Sequence, residues 1–221
     1  MSKSTWLLWQ LADSAFPAGG FAHSFGLEAA WQQGEVSAAS LPSFVADVIA
    51  QAGQGSLPFV GGGHDNPVDF RAVDERCEVF LRNAVANRAS RVQGRAWLGT
   101  VERSFPTPAV RQLCGSIRTT GGPKHFAPVF GATLRSLDVD RRETSRLFLY
   151  SVSRGTFSAA VRLGIVGTMD AQRLLAECGD ALDRALEQSE WRSMDDVVQT
   201  APLIELWQAS HDRLYSRLFQ S

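Results

Sequence analysis

The 221 residues, 44% hydrophobic and 20% charged, are sufficient for one sizeable core, so we expect a single domain over residues 1–221. No apolar run approaches the roughly 20 residues that span a bilayer, and no basic segment followed by an apolar one opens the chain. We therefore expect a cytoplasmic protein without membrane contact. The isolated Cys77, Cys114 and Cys178 argue against a disulfide framework or a zinc knuckle and favour buried, reduced thiols.

Charge is unevenly distributed along the chain, although the formal net charge is only −1. Residues 1–70 carry one Lys or Arg against six Asp or Glu, residues 71–135 carry 11 against four, and residues 136–221 carry 10 against 13. An acidic, basic and acidic order with a near-zero total favours protein partners of complementary charge over a nucleic-acid backbone.

The N-terminal residues predict two short helices around a loop. Trp6 and Trp9 mark an apolar helix that we expect to be tied to the core. Ser24 is a candidate N-cap for a helix from Phe25 to Trp31.

Glycine dominates the segment from Gly53 to Gly63, which holds five glycines and one proline. This composition predicts a mobile loop. His64 follows it, and we expect this histidine to cap a helix or to face solvent, with no metal role.

Apolar residues at helical spacing predict the remaining helices, and no alternating strand pattern of convincing length is present. These helices begin near Pro42, Pro67 and Asn87, cover Arg111 to Arg118, His125 to Leu137, Arg141 to Leu163 and Asp170 to Trp191, and end with one that begins at Pro202 and continues through Leu218. The fold class is therefore all-α, a single-domain helical bundle of roughly nine helices.

The stretch from Leu11 to Glu28 is the richest in turn chemistry. An Asp-Ser pair, Pro17 and the Gly19–Gly20 pair predict a tight connection between two helices. Glu28 lies near the first turn of the second helix, where the helix dipole favours a carboxylate.

This stretch contains Pro-x-Gly-Gly-Phe-Ala-His-Ser-x-Gly-Leu-Glu, which resembles the N-terminal signature of the urease accessory protein UreF family. Three further blocks resemble the same family in the same order: Ser90–Arg95, Lys124–Gly131 and His211–Ser221. Four ordered blocks extend the resemblance over essentially the whole chain.

The resemblance implies an all-helical, usually dimeric protein with no catalysis of its own, and we expect neither a resident metal nor a cofactor. UreF proteins join UreD (also called UreH) and the GTPase UreG on apo-urease, and the complex couples GTP hydrolysis to nickel insertion into the urease active site. This chain would be the adaptor, and residues 202–221 would form a tail helix that engages UreD. Deleting Leu206–Ser221 is then expected to abolish UreD binding and to leave the core folded.

The resemblance also assigns partner contact or maintenance of the fold, rather than catalysis, to the residues that match the family blocks. They are Gly19, Gly20, His23, Ser24, Gly26, Glu28, Gln93, Gly94, Arg95, Lys124, His125, His211, Tyr215, Arg217, Leu218 and Phe219.

Two other hypotheses stay open at this point. One is a helical enzyme with a site near His23, Asp13 and Glu28, although a hydrogen-bonded structural histidine is favoured at position 23. The other is a GTPase-activating protein for UreG that supplies Arg95 or Arg217 as an arginine finger.

Metal and phosphate chemistry find little support in the sequence. The four histidines are isolated from one another, so only a transient ligand at a subunit boundary, with His211 and Cys114 as candidates, stays open. The sequence holds no Gly-x-x-x-x-Gly-Lys-Ser/Thr motif, and Pro123 removes a donor N–H from the Gly-rich turn before Lys124, which argues against nucleotide hydrolysis.

Two surfaces carry a functional interpretation beside a plain structural one. Arg88, Arg91 and Arg95 recur on nearly one helix face, which is either a solvated face or a contact for an acidic protein partner. Base-stacking aromatics are missing there apart from Trp97, which argues against nucleic acid. The apolar stripe from Leu203 to Leu218 either docks on the core of this chain or fills a partner's groove.

Overall fold

The computed structural model describes residues 3–221, which form twelve α-helices and no strand. The helices are α1 (Lys3–Ala12), α2 (Leu27–Gln32), α3 (Leu41–Gln51), α4 (Leu57–Asp65), α5 (Phe70–Phe80), α6 (Ala84–Ser104), α7 (Pro108–Thr120), α8 (Phe126–Ser136), α9 (Arg141–Arg162), α10 (Thr168–Glu177), α11 (Gly179–Ser189) and α12 (Pro202–Ser210). Short 3-10 turns cover Gly20–Ala22, Pro67–Asp69 and His211–Arg213. Helix α3 continues into α4 through the π-helical Ala52–Ser56. With α3 and α4 counted as one continuous helix, the described residues form eleven helices rather than the roughly nine predicted.

Helix α8 forms the centre of the fold, because it is buried from Phe126 to Leu134 and packs against both α4 and α6. Pro128 lies in its first turn, where a missing N–H breaks no helical hydrogen bond. The Trp97 ring lies 4.8 Å from the Phe130 ring, and its Nε1 donates a 2.8 Å hydrogen bond to Thr133 Oγ1. The indole is therefore packed and satisfied at the same time.

The prediction of a mobile loop from Gly53 to Gly63 is wrong, since these residues form the π turn and most of α4, and most of them are buried. A Cβ atom at Gly63 would lie 2.2 Å from the Pro128 carbonyl oxygen, and one at Gly131 would lie 1.9 Å from the Val60 carbonyl oxygen. The glycines thus allow α4 and α8 to approach backbone to backbone, a closeness that no side chain would permit. His64, expected to cap or to face solvent, is buried and forms a 2.9 Å hydrogen bond with the Val139 carbonyl oxygen.

Helices α8 and α9 lie where the sequence predicts them, and two later predictions need correction. The single helix expected from Asp170 to Trp191 is divided at Cys178 into α10 and α11. The helix that begins at Pro202 ends at Ser210, and after the 3-10 turn at His211–Arg213 the chain is irregular to residue 221. Its apolar spacing therefore does not reflect a continuous helix.

Several smaller expectations are also resolved by the burial of side chains. Helix α1 is tied to the core as expected, although through Leu7, Leu8 and Leu11 rather than through Trp6 and Trp9, which are more than half exposed. Cys77 and Cys114 are buried free thiols, as predicted, and Cys178 is half-buried. Within residues 3–221 no helix combines the length and the apolar character needed to cross a membrane.

Candidate functional site

The loop between α1 and α2, residues 13–26, which we call the signature loop, lies across α6 and is shaped by glycines at two positions. Gly19 has φ +77°, and a Cβ there would lie 3.2 Å from Ala96 Cβ on α6. Thr100 on the same helix donates a 3.0 Å hydrogen bond to the Pro17 carbonyl oxygen. Gly26, at φ +85°, is the N-cap of α2, so the predicted capping role of Ser24 is wrong.

Glu28 is the anchor of the C-terminal segment, residues 211–221, which we call the tail. Its carboxylate is 1% exposed and accepts hydrogen bonds from the backbone N–H of Leu218 at 2.6 Å and of Phe219 at 3.2 Å. His211 Nε2 lies 3.0 Å from the same carboxylate. A buried carboxylate is stable only when it is paired and hydrogen-bonded, so Glu28 and the tail depend on each other.

His23 and Ser24 hold the far end of the tail. The Ser24 amide donates a 2.7 Å hydrogen bond to the Ser221 carbonyl oxygen, and His23 Nδ1 forms a 2.6 Å hydrogen bond with Ser221 Oγ. Burial, with a smaller contribution from His211, lowers the pKa of His23 to about 4, so this imidazole is neutral near pH 7. The structural role favoured for His23 agrees with these contacts.

Arg162 on α9 connects the signature loop with the tail. Its guanidinium lies between two aromatic rings, 3.8 Å from the centroid of Phe21 and 4.2 Å from that of Phe219. It also donates a 2.6 Å hydrogen bond to the Phe21 carbonyl oxygen. Stacking and hydrogen bonding by one side chain fix the position of Phe219 relative to the loop.

The outer face of the tail is apolar and charged. Tyr215 is fully exposed and Leu218 is about half exposed. Asp212 receives hydrogen bonds from Arg88 at 2.8 Å and from Arg217 at 3.3 Å. Ordered, exposed aromatic and arginine side chains are characteristic of protein-binding surfaces.

A second cluster fixes the turn before α8. The Asp74 carboxylate accepts hydrogen bonds from the backbone N–H of Lys124 at 2.7 Å and of His125 at 2.8 Å. His125 Nε2 lies 2.7 Å from Glu78, and its Nδ1 lies 3.1 Å from Ser90 Oγ. Burial raises the pKa of Asp74 and lowers that of His125.

Gly94 explains why this turn can lie directly on α6. A Cβ at position 94 would lie 2.0 Å from the Lys124 carbonyl oxygen, so only glycine allows the approach. Lys124 itself has φ +64°, a left-handed conformation that the two hydrogen bonds to Asp74 maintain. The predicted residues Gly94, Lys124 and His125 therefore maintain the fold at this point.

A cavity of about 330 Å³ lies between the signature loop, α6, α9 and the tail. Gln93 lines it, as do His23 and Arg162. His23 Nε2 and Gln208 Oε1 are buried on its walls without a hydrogen-bond partner in residues 3–221.

The structure brings most predicted residues into the two clusters but leaves Arg95 outside them, on the exposed face of α6. Sequence reasoning missed Asp74 and Arg162. Asp74 could have been found as a carboxylate beside the apolar positions of α5, whereas Arg162 gave no signal, because its hydrogen-bond partner Phe21 is 141 positions away.

The residues proposed for a helical enzyme do not form one site. Asp13 is exposed and accepts a hydrogen bond from the Ala15 amide, His23 bonds to Ser221, and Glu28 bonds to the tail. No hydrogen bond within residues 3–221 joins any two of the three. Among the same residues, no three His, Cys, Asp or Glu side chains are placed to hold a metal ion.

The fold and the site together define an all-helical protein whose polar clusters bind its own backbone. The UreF family model matches residues 36–179. "Urease accessory protein F" of Oryza sativa subsp. indica is 34% identical over 223 residues, covering 98% of this chain and 85% of the relative. The chain therefore belongs to the UreF family of urease accessory proteins.

Other relatives agree in name and coverage. "Urease accessory protein F" of Arabidopsis thaliana is 34% identical, covering 98% of this chain and 92% of the relative. "Urease accessory protein UreF" of Paenarthrobacter aurescens is 29% identical, covering 97% and 96%. These names describe accessory proteins rather than enzymes, and a role in urease maturation follows from the family.

Proposed function

We propose that this chain is the adaptor of urease maturation, which joins UreD/UreH and the GTPase UreG on apo-urease and couples GTP hydrolysis to nickel insertion. It would act in the cytoplasm, as a homodimer, and without a cofactor of its own. Family membership supports the general role, and the named partners are part of the proposal.

The arrangement of the tail carries the proposal. Glu28, His23 and Arg162 hold the inner side of residues 211–221, while Tyr215 and Leu218 stay exposed on its outer side. An ordered segment with exposed anchors loses little conformational entropy when a partner binds. We therefore propose that this outer face contacts UreD. The contact would not be made by the tail helix expected over residues 202–221, because the helix ends at Ser210 and only a 3-10 turn and irregular backbone follow.

The contacts of the tail change the choice of experiment. Deletion of Leu206–Ser221 would remove every hydrogen bond that Glu28 receives from the tail, so loss of UreD binding in that variant would also follow from unfolding. Substitution of exposed side chains avoids this problem, because Tyr215 and Leu218 contribute little to the core.

The test is affinity capture of co-expressed UreD and UreG by the tagged chain. Tyr215→Ala combined with Leu218→Ala is expected to reduce capture of UreD by about 30-fold, the loss typical of interface anchors, with an unchanged circular dichroism spectrum. Met169→Ala, which truncates an exposed hydrophobic side chain on α10, serves as the control. Equal capture of UreD by the tail variant and by Met169→Ala would refute the proposed role of the tail.

A second candidate function, GTPase activation by an arginine finger, is favoured at one position. Arg95 is exposed and has no ion-pair partner within residues 3–221, whereas Arg217 is paired with Asp212. Stimulation of UreG hydrolysis by the wild-type chain, and its selective loss in Arg95→Ala, is the expected result if Arg95 acts in this way. Equal stimulation by both proteins excludes it.

A further inference from the structure

A groove of about 520 Å³ lies where the end of α5 meets the exposed face of α6. Four arginines line this arginine groove, together with Asn87 and one carboxylate, that of Glu78. The arginines are Arg82, Arg88, Arg91 and Arg95. The groove lies in the segment of the chain with the largest excess of basic residues.

The charges of the groove are only partly compensated. Arg88 is paired with Asp212 of the tail, and Arg91 lies 3.8 Å from Glu78, which also bonds to His125. Arg82 and Arg95 have no ion-pair partner in the described part of the chain. Two guanidinium groups are therefore available in one concave, solvent-open surface.

The chemistry of the groove suits carboxylates. A guanidinium carries several N–H donors and is a favoured partner of a carboxylate, and Arg88 already binds one: its Nη2 donates to both carboxylate oxygens of Asp212, at 2.8 Å and 3.0 Å. We infer that the arginine groove binds an acidic, carboxylate-bearing segment of a protein partner. This inference rests on the proposed function, since the partner would be another member of the maturation assembly.

Two observations disfavour a nucleotide as the occupant. No aromatic side chain is found among the described residues that line the groove, so a base would have nothing to stack on. The N-terminal amides of α6, which could otherwise bind a phosphate, are also occupied, because the Asn83 side chain accepts hydrogen bonds from the Val85 and Ala86 N–H groups.

The tail is linked to this surface through Asp212. An acidic segment that enters the groove competes with Asp212 for the Arg88 guanidinium. Removing the charge of Asp212 releases Arg88 for the partner and increases affinity. Damage to the groove itself would weaken binding, so a gain in binding distinguishes release of Arg88 from loss of the groove.

The experiment measures binding of a fluorescein-labelled hexaglutamate peptide to the purified full chain by fluorescence anisotropy, with the hexaglutamine peptide as the uncharged probe. The Arg82→Ala/Arg95→Ala variant is expected to bind hexaglutamate about tenfold more weakly, and Asp212→Asn about two- to fivefold more tightly. Arg103→Ala, on α6 but outside the groove, is the matched control and is expected to bind as wild type does. Binding is also expected to weaken as the salt concentration rises.

Equal affinities of the groove variant and Arg103→Ala, equal binding of hexaglutamine, or no gain in Asp212→Asn would each overturn the inference. Displacement of hexaglutamate by inorganic pyrophosphate at lower concentration than by free hexaglutamate would identify a phosphate site instead. Because the assay contains no urease protein, its failure leaves the proposed adaptor role standing. Conversely, loss of UreD capture together with intact hexaglutamate binding would contradict the proposed adaptor role and leave the inference about the arginine groove standing.

Discussion

Replacement of Glu28 by alanine tests how the tail is held. The side chain is 1% exposed and accepts hydrogen bonds from the Leu218 and Phe219 amides and from His211. A buried donor left without its acceptor costs about 1–3 kcal/mol, and all three donors belong to the tail, which can move toward water and so recover part of this cost. Because three donors lose their acceptor together, we expect Glu28→Ala to lower the free energy of unfolding by about 3–5 kcal/mol.

Two further variants sharpen this prediction. Glu28→Gln keeps the shape and one acceptor oxygen, so a smaller loss of about 1–2 kcal/mol is expected. Glu35→Ala removes an exposed carboxylate close in sequence and is expected to change stability by less than about 0.5 kcal/mol.

The assay is urea unfolding followed by circular dichroism, combined with hydrogen exchange of the peptide covering residues 211–221. Faster exchange of that peptide in Glu28→Ala is expected even where the helices stay folded. A free energy of unfolding within about 0.5 kcal/mol of wild type, with unchanged exchange in the tail, would show that Glu28 does not anchor it.

Three other changes give independent tests. His23 has a pKa of about 4 in the folded chain against 6.5 for the free side chain, so its contribution to stability is present above pH 6.5 and is lost as the pH falls toward 4. The expected loss of stability reaches about 3 kcal/mol. A His23→Asn variant whose urea unfolding depends on pH as that of the wild type does would contradict this prediction. Gly131→Ala is expected to destabilise the fold by more than about 3 kcal/mol, because a Cβ would lie 1.9 Å from a carbonyl oxygen of α4. Gly115→Ala in α7, where a Cβ would meet no atom within 4 Å beyond its own helix backbone, is expected to stabilise the fold by about 0.5–1 kcal/mol. Equal thermal midpoints for the two variants would rule this out. Arg162→Ala is expected to lower the free energy of unfolding by about 1–2 kcal/mol and to speed hydrogen exchange in the tail. Arg162→Lys is expected to restore only part of this stability, because lysine keeps the charge but not the planar guanidinium. Full recovery of stability by lysine would exclude stacking as the cause.

The helical class and several helix positions follow from local patterns. Helices α8 and α9 lie within one residue of the predicted bounds, because their capping and breaking residues act locally. The break between α10 and α11 was missed, since apolar spacing continues across Cys178 and the pattern alone favours one helix.

The glycine-rich segment shows what local reasoning lacks. The stretch from Gly53 to Gly63 has the composition of a loop, and only the α8 backbone at Pro128 reveals why glycine is needed at position 63. The information is held by a segment more than 60 positions away, so the prediction from composition was wrong for a physical reason.

The candidate site was predicted in its residues but not in its contacts. Glu28 lies in the first turn of α2, as expected, but the sequence does not indicate that its carboxylate accepts the N–H groups of Leu218 and Phe219, 190 and 191 positions later. The spacing of Leu214 and Leu218 suggested a helix, whereas the amide of Leu218 bonds to Glu28 rather than to a preceding turn. Such a pairing has no signature in a single sequence.

The measurement that tests the central proposal most directly is the nickel content of urease purified from a urease-producing host that lacks its own UreF protein. Complementation with the wild-type chain is expected to restore nickel-loaded urease, and the Tyr215→Ala/Leu218→Ala variant, present at the same level, is expected to leave the enzyme in its apo form. Fully loaded urease with the variant, or nickel-free urease with the wild-type chain, would contradict the proposal that this protein supports nickel insertion through the outer face of its tail.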